Sequence, residues 1–493
     1  MSALDWTVLT LVVGWSVTVV DVTLRVVALG VIPGNRKPST GMAWLLLILV
    51  LPVLGFVAFL LFGRTDLGRD RHARQLRAKA RVRARAEEFP AAEARDDLPA
   101  LLPSVIALND RLGSLPLVHD NCVLVIEDYD EVIRSMTRTV AAARSYVHVE
   151  FYIVAWDALT APFFEAMADA AELGVDVKLL FDHIGCRSVP GYRQMIARLE
   201  QTRIQWHPML PIKPLRGRFR RPDLRNHRKM LVADGLVGFT GSFNVTERGY
   251  NKPKNHRLGR LYVECMVRVQ GHIVATLDSV FAMDWYAETD EVLAVEVHPA
   301  ILDDHPEVVA GVSCQLVPSG PGFVAENNLR LFTTLVYSAT RRISITSPYF
   351  VPDESLLYAV TTAAQRGIDV ELFVSELPDQ FMVGHAQASY YRALLEAGVR
   401  IYLYPDPYIL HSKHLSVDDA VAVIGSSNMD MRSFALNYEI SLMMLGPQVV
   451  RRIQAVEDGY REVSRELLLE EWSGRKPRLR YLDNVMRLTA ALQ

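Results

Sequence analysis

The stretch HRKMLVADGLVGFTGSFN, from His227 to Asn244, decides the fold of this 493-residue chain because its pattern occurs twice. The second copy, HSKHLSVDDAVAVIGSSN, runs from His411 to Asn428. Both copies begin with His-x-Lys-x4-Asp and close with Gly-Ser-x-Asn, and the spacing between these two patterns is identical. The apolar and β-branched residues inside each copy predict two short strands joined by a tight turn. Two copies with matched spacing indicate a chain built from two repeated halves.

The repeated residue types point to phosphate chemistry. A His and a Lys two positions apart on a strand project to the same face, so each copy brings an imidazole and a cation to one pocket. One histidine can attack phosphorus while the other protonates the leaving oxygen. The chain has only nine Lys among its 53 basic residues, yet both copies carry one, and a compact ammonium suits a single phosphate oxygen. The catalytic candidates are His227, Lys229, Asp234, His411, Lys413 and Asp418.

Other polar residues at matched positions are candidates for binding phosphate or supporting the histidines. The Gly-Ser pair lets the backbone approach a phosphate, and the Asn offers an amide donor. Glu264 and Glu439 each open a strand, where a carboxylate is expected to contact the distal nitrogen of the opposite histidine; the alternative is a surface residue. Asp234 and Asp418 are expected to hold the strand and turn by hydrogen bonds rather than to touch substrate. The supporting candidates are Ser242, Ser426, Asn244, Asn428, Glu264 and Glu439.

The N-terminal region carries two long apolar segments. Met42–Phe62 contains no charged residue and would cover roughly 30 Å as a helix, the thickness of a bilayer core. A buried core helix is the alternative. Trp6–Val20, extended by Val26–Ile32, predicts a first and less hydrophobic membrane helix, in which Asp21 and Arg25 can pair, or a partly re-entrant segment.

The distribution of charge sets the expected orientation in the membrane. Nine Arg and Lys residues lie between positions 64 and 85, against two, Arg36 and Lys37, between the apolar segments. This asymmetry predicts a multi-pass protein of the cell membrane whose catalytic domains lie on the cytoplasmic side. The start of the chain has no basic region, which disfavours a cleaved signal peptide. The four scattered cysteines fit reduced residues facing the cytosol, although a disulfide between two of them stays open.

The body beyond residue 100 shows alternating strands and helices that repeat between the halves. Gly174 and Gly367 follow matched helices and are expected to cap them before buried strands. The predicted fold class is α/β, with two repeated sandwich domains with mixed sheets, preceded by two N-terminal transmembrane helices. The expected organisation is a membrane anchor at 1–63, a basic linker at 64–110, a first domain at 111–300, a second domain at 301–470 and a basic amphipathic segment at 471–493.

These motifs resemble those of the phospholipase D superfamily, and the similarity to bacterial cardiolipin synthases extends over nearly the whole chain. RKPSTGMAWLLLILVLPVLGFVAFLLFG (36–63) is similar to the double membrane anchor of those synthases, and SPYFVPDE (347–354) and NMDMRSF (428–434) are similar to their second half. The chain departs from the family after Asn244. There it reads KPKNHRLGRLYVECMVRV (252–269) instead of continuing towards a Trp-Arg-Asp stretch, which bears on the acceptor pocket and on the role of Glu264.

The resemblance implies two phospholipase D-like domains and a phosphatidyltransferase. Two phosphatidylglycerol molecules would give cardiolipin and glycerol through a phosphatidyl-histidine, with His227 favoured as nucleophile and His411 as acid and base. The symmetric sequence gives no basis for that order. Four protein donors are expected to replace a metal at the non-bridging oxygens, so no cofactor is expected. These donors are Lys229, Lys413, Asn244 and Asn428.

Other classes of function remain open from the sequence. A membrane-bound phospholipase D or phosphodiesterase would use the same pocket with water as acceptor. A nuclease is disfavoured, because it would not explain the apolar segments and no basic and aromatic stacking platform is evident, so no nucleic acid partner is expected. A non-catalytic scaffold is disfavoured by two complete motifs. The expected partners are phosphatidylglycerol, cardiolipin and the lipid bilayer; a homodimer is compatible with the sequence but no residue indicates one.

Two amphipathic basic segments complete the expectations. Trp206–Arg225 combines an apolar start with four closely spaced arginines and is expected to lie on the membrane surface and guide anionic headgroups, with an ordinary basic loop as the alternative. The C-terminal segment at 472–493 is similarly basic, and it is expected to dock on either the body or the membrane.

Overall fold

The computed structural model describes residues 3–34, 38–63, 73–78, 80, 101–113, 115–211, 223–299, 305–323 and 326–488. The described residues up to 63 form one compact unit, and those from 73 onward form, with few exceptions, a second one. The predicted boundary at residues 300 and 301 and most of the predicted linker lie outside the described residues, as do positions 212–222 of the expected membrane-surface segment.

The described part of the N-terminal unit contains three helices, α1 (Ala3–Val31), α2 (Pro38–Val50) and α3 (Pro52–Phe62). Within the described residues, one stretch of helix, Val12–Val31, is long and apolar enough to cross a membrane. The ion pair predicted inside this helix is present, with 3.0 Å between Arg25 Nη2 and Asp21 Oδ2.

The prediction of one continuous helix over Met42–Phe62 is wrong. The first helix ends at Val50 and the next begins at Pro52, because proline has no N–H to donate and its ring forces the preceding residue out of the helical conformation. Leu51 accordingly takes φ −130° and ψ 76°.

The two short helices fold back on each other as a helical hairpin. The ring centroids of Trp44 on α2 and Phe59 on α3 lie 5.6 Å apart, whereas a straight helix would separate these positions by about 22 Å. Gly55 permits the close approach, since a Cβ there would lie 2.9 Å from the Cα of Ile48. With 13 and 11 residues, each helix is at most about 20 Å long, which is less than the thickness of a bilayer core.

The second unit begins with the first repeated half. Its helices and strands alternate in the way that the sequence predicts. They are α4 (Leu102–Gly113), β1 (Leu117–Ile126), α5 (Tyr129–Ala142), β2 (Tyr146–Phe151), α6 (Ala161–Glu172), β3 (Asp176–Asp182), α7 (His183–Arg187), α8 (Tyr192–Leu199), β4 (Gln205–Met209), β5 (Lys229–Ala233), β6 (Val237–Gly241), α9 (Pro253–Leu258), β7 (Leu261–Val263), β8 (Met266–Gln270) and α10 (His272–Thr289).

The second half repeats this order and ends with additional elements. They are β9 (Val309–Ser319), α11 (Asn327–Ser338), β10 (Arg342–Thr346), β11 (Phe350–Val351), α12 (Glu354–Gln365), β12 (Asp369–Ser375), α13 (Phe381–Ala397), β13 (Arg400–Tyr404), β14 (Tyr408–Leu410), β15 (His414–Val417), β16 (Val421–Gly425), β17 (Met429–Asp430), α14 (Met431–Ala435), β18 (Glu439–Leu445), α15 (Pro447–Val463), β19 (Arg465–Leu467), α16 (Leu469–Ser473) and α17 (Pro477–Arg487).

Within the part of the chain that the structure describes, fifteen strands form one mixed sheet in the order β19-β13-β12-β10-β15-β16-β18-β9-β1-β8-β6-β5-β2-β3-β4. Apart from the edge strand β19, the strands of the two halves follow the same order from the edge of the sheet to its centre. In each half the three outer strands are parallel and the inner ones antiparallel, so the predicted α/β class with mixed strand direction is confirmed. The two halves nevertheless share one sheet instead of holding one each.

The sheet is continuous because β1 of the first half pairs antiparallel with β9 of the second. Both strands are largely buried, and an apolar strand left unpaired at an edge would expose its N–H and C=O groups. The motif strands β5 and β15 lie three strands to either side of this central pair. The duplication therefore places the two motifs symmetrically about the centre of the sheet.

Helices cover both faces of the sheet. Apolar residues of α10 and α15 form one core cluster with strands of both halves. Alternate residues of the same strands face the other way, and they pack against α5, α6 and α8 in the first half and against α11, α12 and α13 in the second. Helix α4 spans the predicted boundary at residues 110 and 111, and its Leu102 and Val105 pack in the core of the second half.

Several local predictions can be compared with this fold. Gly174 and Gly367 take φ +94° and +86° directly after α6 and α12, which confirms the predicted helix caps. All four cysteines are described and buried, and none of them forms a disulfide. The described C-terminal helix α17 docks on the body, where Asp483 accepts from His385 Nδ1 at 2.6 Å and from Arg475 Nη1 at 2.7 Å.

Candidate active site

Each motif histidine is anchored to backbone of the other half. His227 N donates to Tyr438 O at 2.8 Å, and His411 N donates to Val263 O at 2.8 Å. Tyr438 and Val263 are the residues that directly precede the two candidate glutamates. These two hydrogen bonds place the start of each motif next to the candidate glutamate of the other half.

Each histidine side chain contacts the glutamate of the opposite half, as the repeat spacing predicts. His227 Nδ1 lies 3.0 Å from Glu439 Oε2, and His411 Nδ1 lies 2.7 Å from Glu264 Oε1. With Nδ1–H donated to a carboxylate, the lone pair of Nε2 is left for the pocket. Burial alone would raise the pKa of both carboxyl groups, but the interactions with the neighbouring histidine and lysine hold each pKa below its ordinary value.

Burial also fixes the charge state of the imidazoles. It lowers the pKa of His227 to about 4, against the opposing effect of Glu439. The pKa of His411 is lowered for the same reason, with Glu264 opposing the shift. Both rings are therefore neutral at neutral pH in the absence of substrate, which is the form that can attack phosphorus.

The motif lysines bring two buried ammonium groups to one pocket. Lys229 Nζ donates to His227 O at 2.7 Å, and Lys413 Nζ donates to His411 O at 2.5 Å. Burial, followed by the charge of Lys413, lowers the pKa of Lys229 to about 7. Burial lowers the pKa of Lys413 to about 8, while Glu264 and Glu439 oppose the shift. Because the charge of one lysine acts on the other, the pocket is suited to an anion.

The candidate amides and hydroxyls have protein partners in this structure. Asn244 Nδ2 donates to Tyr250 OH at 2.9 Å, and Asn428 Nδ2 donates to Asp430 Oδ2 at 3.0 Å. Ser242 Oγ accepts from the backbone N–H of residue 265, and Ser426 Oγ accepts from that of residue 440 while donating to Glu439 at 2.5 Å. The serines thus fix the strand ends that carry the glutamates.

The motif aspartates hold the local backbone, as expected from the sequence. Asp234 accepts hydrogen bonds from the N–H groups of residues 144, 145 and 146 at 2.7 to 2.9 Å. Asp418 accepts from those of residues 340, 341 and 342 at 2.8 to 3.0 Å. Each carboxylate therefore ties the turn after a motif strand to the start of β2 or β10.

Three tyrosines beside the histidines are not apparent from the sequence motifs. The ring centroid of Tyr152 lies 4.9 Å from that of His227. Tyr250 and Tyr262 stack at 3.9 Å and lie 6.0 and 5.4 Å from the ring of His411. Tyr250 OH also donates to Glu264 at 2.6 Å, which supports that carboxylate where the chain departs from the family pattern. The surroundings of the two histidines therefore differ, although the motifs match.

The described residues contain no group of three or more His, Cys, Asp and Glu side chains placed to hold a metal ion. The groups that converge in the pocket are two imidazoles with carboxylate partners and two ammonium ions. Such a set can displace an oxygen from a phosphodiester with protein side chains as the donors.

Comparison with known proteins agrees with this chemistry. A family model described as cardiolipin synthase, PLD-like domain, matches residues 136–285 and 332–458, and one described as phospholipase D-nuclease N-terminal matches residues 16–64. Cardiolipin synthase A of Pectobacterium carotovorum subsp. carotovorum (strain PC1) is 32% identical over 474 residues, which cover 94% of either chain. The chain belongs to the cardiolipin synthase family.

Two further relatives place this cardiolipin synthase family member in context. Cardiolipin synthase of Geobacillus kaustophilus (strain HTA426) is 33% identical over 466 residues, covering 93% of this chain and 90% of that protein. The crystal structure of phosphatidylserine synthase from Haemophilus influenzae Rd KW20 matches with a TM-score of 0.61 at 14% identity, covering 78% of this chain and 99% of that one. That similarity supports the fold of the two halves.

Proposed function

We propose that the protein is a cardiolipin synthase that converts two phosphatidylglycerol molecules into cardiolipin and glycerol. The observation that carries the proposal is the crossed arrangement in which each motif histidine contacts the glutamate of the other half. Relatives that match more than nine-tenths of the chain and bear this name support the choice of lipid substrates. The apolar N-terminal helices and the family support a membrane-associated protein.

The first step forms a covalent lipid intermediate. His227 Nε2 attacks the phosphorus of one phosphatidylglycerol, the bond from phosphorus to the glycerol headgroup oxygen breaks, and His411 donates a proton to that oxygen. The negative charge of the bound phosphodiester raises the pKa of His411, so that its Nε2 carries this proton. Lys229 and Lys413 bind the non-bridging oxygens and stabilise the charge of the transition state.

The second step reverses the roles. His411 takes a proton from the headgroup hydroxyl of a second phosphatidylglycerol, the hydroxyl oxygen attacks phosphorus, and the bond to His227 Nε2 breaks. The proton lost in the first step is recovered, so the cycle leaves the enzyme unchanged. His227 is chosen as nucleophile because burial keeps its pKa near 4 and its ring neutral. Trapping the intermediate with labelled lipid should place the phosphoryl group on His227, and recovery on His411 would reverse the order.

The central experiment is product analysis with phosphatidylglycerol as the sole lipid. The detergent-solubilised protein should release cardiolipin and glycerol, and His227→Ala and His411→Ala should each abolish the reaction. Phosphatidic acid as the main product would instead identify a hydrolase with water as acceptor. No product at all from the wild-type protein would contradict both activities.

We further infer a membrane topology from the helical hairpin. If α1 crosses the bilayer and the hairpin enters and leaves on one side, Arg36, Lys37 and the nine basic residues at 64–85 all lie on the cytoplasmic side. No Lys or Arg precedes Arg25 in the chain, which suits an N-terminus on the opposite side. The catalytic domains then face the cytoplasm behind one full span.

The topology can be tested with epitope tags on the intact protein. A tag at the N-terminus should be digested by protease added to spheroplasts, whereas a tag at the C-terminus should be digested only in inverted vesicles. Protection of both tags in spheroplasts would support two full spans instead.

A further inference from the structure

The segment that departs from the family pattern after Asn244 forms an exposed basic edge beside His411. Lys252, Lys254 and Arg257 lie on or next to the short helix α9, and all three are exposed to solvent. Leu258, the last residue of this helix, is 48% exposed although it is a large apolar residue. Cationic side chains beside an exposed leucine are typical of surfaces that contact anionic lipid.

The loop after β12 and the first turn of α13 supply a larger apolar patch at residues 377–382, which we name the apolar loop. Leu377, Phe381 and Met382 are 42, 65 and 45% exposed, so three large apolar side chains that are close in sequence contact solvent. Tyr408, at the start of β14, is exposed to a similar extent. Exposed apolar side chains that cluster in this way indicate an interaction surface.

Hydrogen bonds and strand pairing hold these segments together. Asp379 lies in the middle of the apolar loop. Its Oδ2 accepts a hydrogen bond at 2.9 Å from the OH of Tyr262, which belongs to the strand after α9. Tyr349 OH donates to the other oxygen of Asp379 at 2.8 Å. Residues 261–263 of β7 pair in parallel with residues 408–410 of β14. The basic edge, the apolar loop and Tyr408 are therefore parts of one surface, which we name the docking rim.

The docking rim adjoins the reacting groups. The ring of Tyr262 lies 5.4 Å from that of His411, and Tyr262 stacks on Tyr250, whose OH donates to Glu264. Lys252 Nζ lies 5.7 and 5.8 Å from the centres of these two tyrosine rings. A lipid that entered along the rim would meet His411 first.

The described counterpart of the apolar loop in the first half carries no exposed cluster of large apolar residues. The segment that corresponds to the apolar loop follows β3 in the first half, at residues 183–189. There Cys186 and Val189 are buried, and no large apolar residue between 183 and 199, all of which the structure describes, is exposed. The repeat therefore does not require exposed apolar side chains after this strand, and those of the apolar loop are a feature that the second half has at this position.

We propose that the docking rim inserts Leu377, Phe381 and Met382 into an anionic bilayer surface, with Lys252, Lys254 and Arg257 on the headgroups, and thereby admits lipid to the His411 side of the pocket. This proposal rests on the proposed function, because it concerns the route by which lipid substrate enters the same site. The occupant is a bilayer containing phosphatidylglycerol, because the rim combines apolar side chains with positive charge.

A spin label tests the contact without requiring activity. The full-length protein is placed in vesicles of phosphatidylglycerol and phosphatidylethanolamine with a label on Phe381→Cys or, as control, on Leu173→Cys. Leu173 is 84% exposed and precedes β3, at the sheet end opposite the motifs. The label at 381 should collide more with oxygen and less with a water-soluble nickel complex than the label at 173. Equal, water-like behaviour of both labels would overturn the proposal whether or not the protein makes cardiolipin.

Kinetics separate lipid docking from a general defect. The double variant Phe381→Ser/Met382→Ser should raise the apparent KM for phosphatidylglycerol in vesicles by about tenfold, since two apolar side chains no longer enter the bilayer. Its kcat/KM for a short-chain phosphatidylglycerol dissolved as monomers should stay within about twofold of wild type, and Leu173→Ser should change neither value. An equal loss on both substrates, or no loss on vesicles, would contradict the proposal.

Discussion

Lys229 and Lys413 are the two residues that make the pocket suited to an anion. Their ammonium groups are buried, each is held by the carbonyl oxygen of a motif histidine, and their pKa values fall to about 7 and 8. The charge of Lys413 is one cause of the lowered pKa of Lys229, and an anion in the pocket would oppose that shift. The pocket is thereby prepared for a phosphodiester before the lipid binds.

These pKa values predict the pH dependence of kcat/KM, which reports groups of the free enzyme. His227 must be neutral to attack, so activity should fall as the pH drops towards about 4. Activity should also fall as the pH rises, first because His411, whose pKa lies below its ordinary value, loses the proton that it must donate. It should fall further at about 7 to 8, where Lys229 and Lys413 lose the charge that binds phosphate. A rate profile with phosphatidylglycerol in detergent micelles at constant ionic strength measures both limits.

The variant Glu439→Gln provides the matched test of this interpretation. Its lost negative charge lowers the pKa of Lys229 further, because Glu439 raises that pKa in the wild type. The alkaline limit should therefore move to lower pH, in addition to a reduced maximum rate from the lost contact to His227. An alkaline limit that stays near the ordinary lysine pKa of about 10 in both proteins would show that the lysines do not titrate as expected.

At the residue scale, the repeat predicted the motif residues and their glutamates but not the aromatic residues that surround the histidines. Glu264 and Glu439 were found because both halves carry them at the same distance from a glycine. Tyr152, Tyr250 and Tyr262 were not, because their contacts with the histidines are formed between separate elements of the fold. A sequence read alone contains no signal for such contacts.

Among the elements, the turn after each motif strand depends on a single carboxylate. Asp418→Ala would leave three N–H groups of residues 340–342 without their acceptor, at a cost of about 2 to 3 kcal/mol in the free energy of unfolding. Backbone hydrogen bonds outweigh burial and lower the pKa of Asp418, so this stabilisation is present above the unfolded-state pKa and is lost as the pH falls through the folded one. Thermal unfolding in detergent at neutral pH measures the effect.

Asp419→Ala is the control for that measurement. Asp419 is the exposed neighbour and pairs with Arg341 on the surface, so its loss should cost less than about 1 kcal/mol. A decrease in the unfolding temperature as large as that of Asp418→Ala would show that the backbone hydrogen bonds do not account for the effect.

The hairpin of α2 and α3 predicts a short distance between its two open ends. Spin labels on Met42→Cys and Leu61→Cys should lie much closer than the roughly 28 Å of a straight helix, because Trp44 and Phe59 are in contact. Val12→Cys and Val31→Cys have the same separation in sequence but lie within α1, and they should show about 28 Å. The native cysteines are buried and remain unlabelled. Equal distances in the two pairs would contradict the hairpin and support one continuous helix over Met42–Phe62.

At the element scale, hydropathy located the apolar segments but did not predict that the second one folds into a hairpin. A window over Met42–Phe62 measures composition, and a folded hairpin and a straight helix have the same composition. Proline is tolerated in many membrane helices, so Pro52 alone did not decide the matter. The combination of Pro52 with Gly55, which admits the backbone of Ile48, produces the reversal.

At the scale of the whole molecule, the halves form one body through the pairing of β1 with β9. The duplicated motifs predicted two similar halves, but the register between strands that lie far apart in the chain depends on packing that no local pattern encodes. The result is one sheet of fifteen strands in which His227 and His411 each reach across to the other half.

This arrangement predicts that one chain forms a complete site. Co-expression of a His227→Ala chain with a His411→Ala chain should restore no cardiolipin synthesis, since each chain lacks one histidine of its own pocket. The tagged chains are purified together to verify that both are present, and activity is compared with wild type at equal protein. Recovery of activity in the mixture would instead indicate a site assembled between subunits of a dimer.

The contact between His227 and Glu439 also orders events during synthesis. The ribosome makes residues 227–234 long before residue 439, so the first motif leaves the exit tunnel without the carboxylate that orients its imidazole. The glutamate becomes available only after most of the second half has been made, when β18 can join the sheet. A nascent chain that is attached to the membrane but lacks β18 therefore has no oriented His227, and we expect it to become able to react with phospholipids only once the second half has folded.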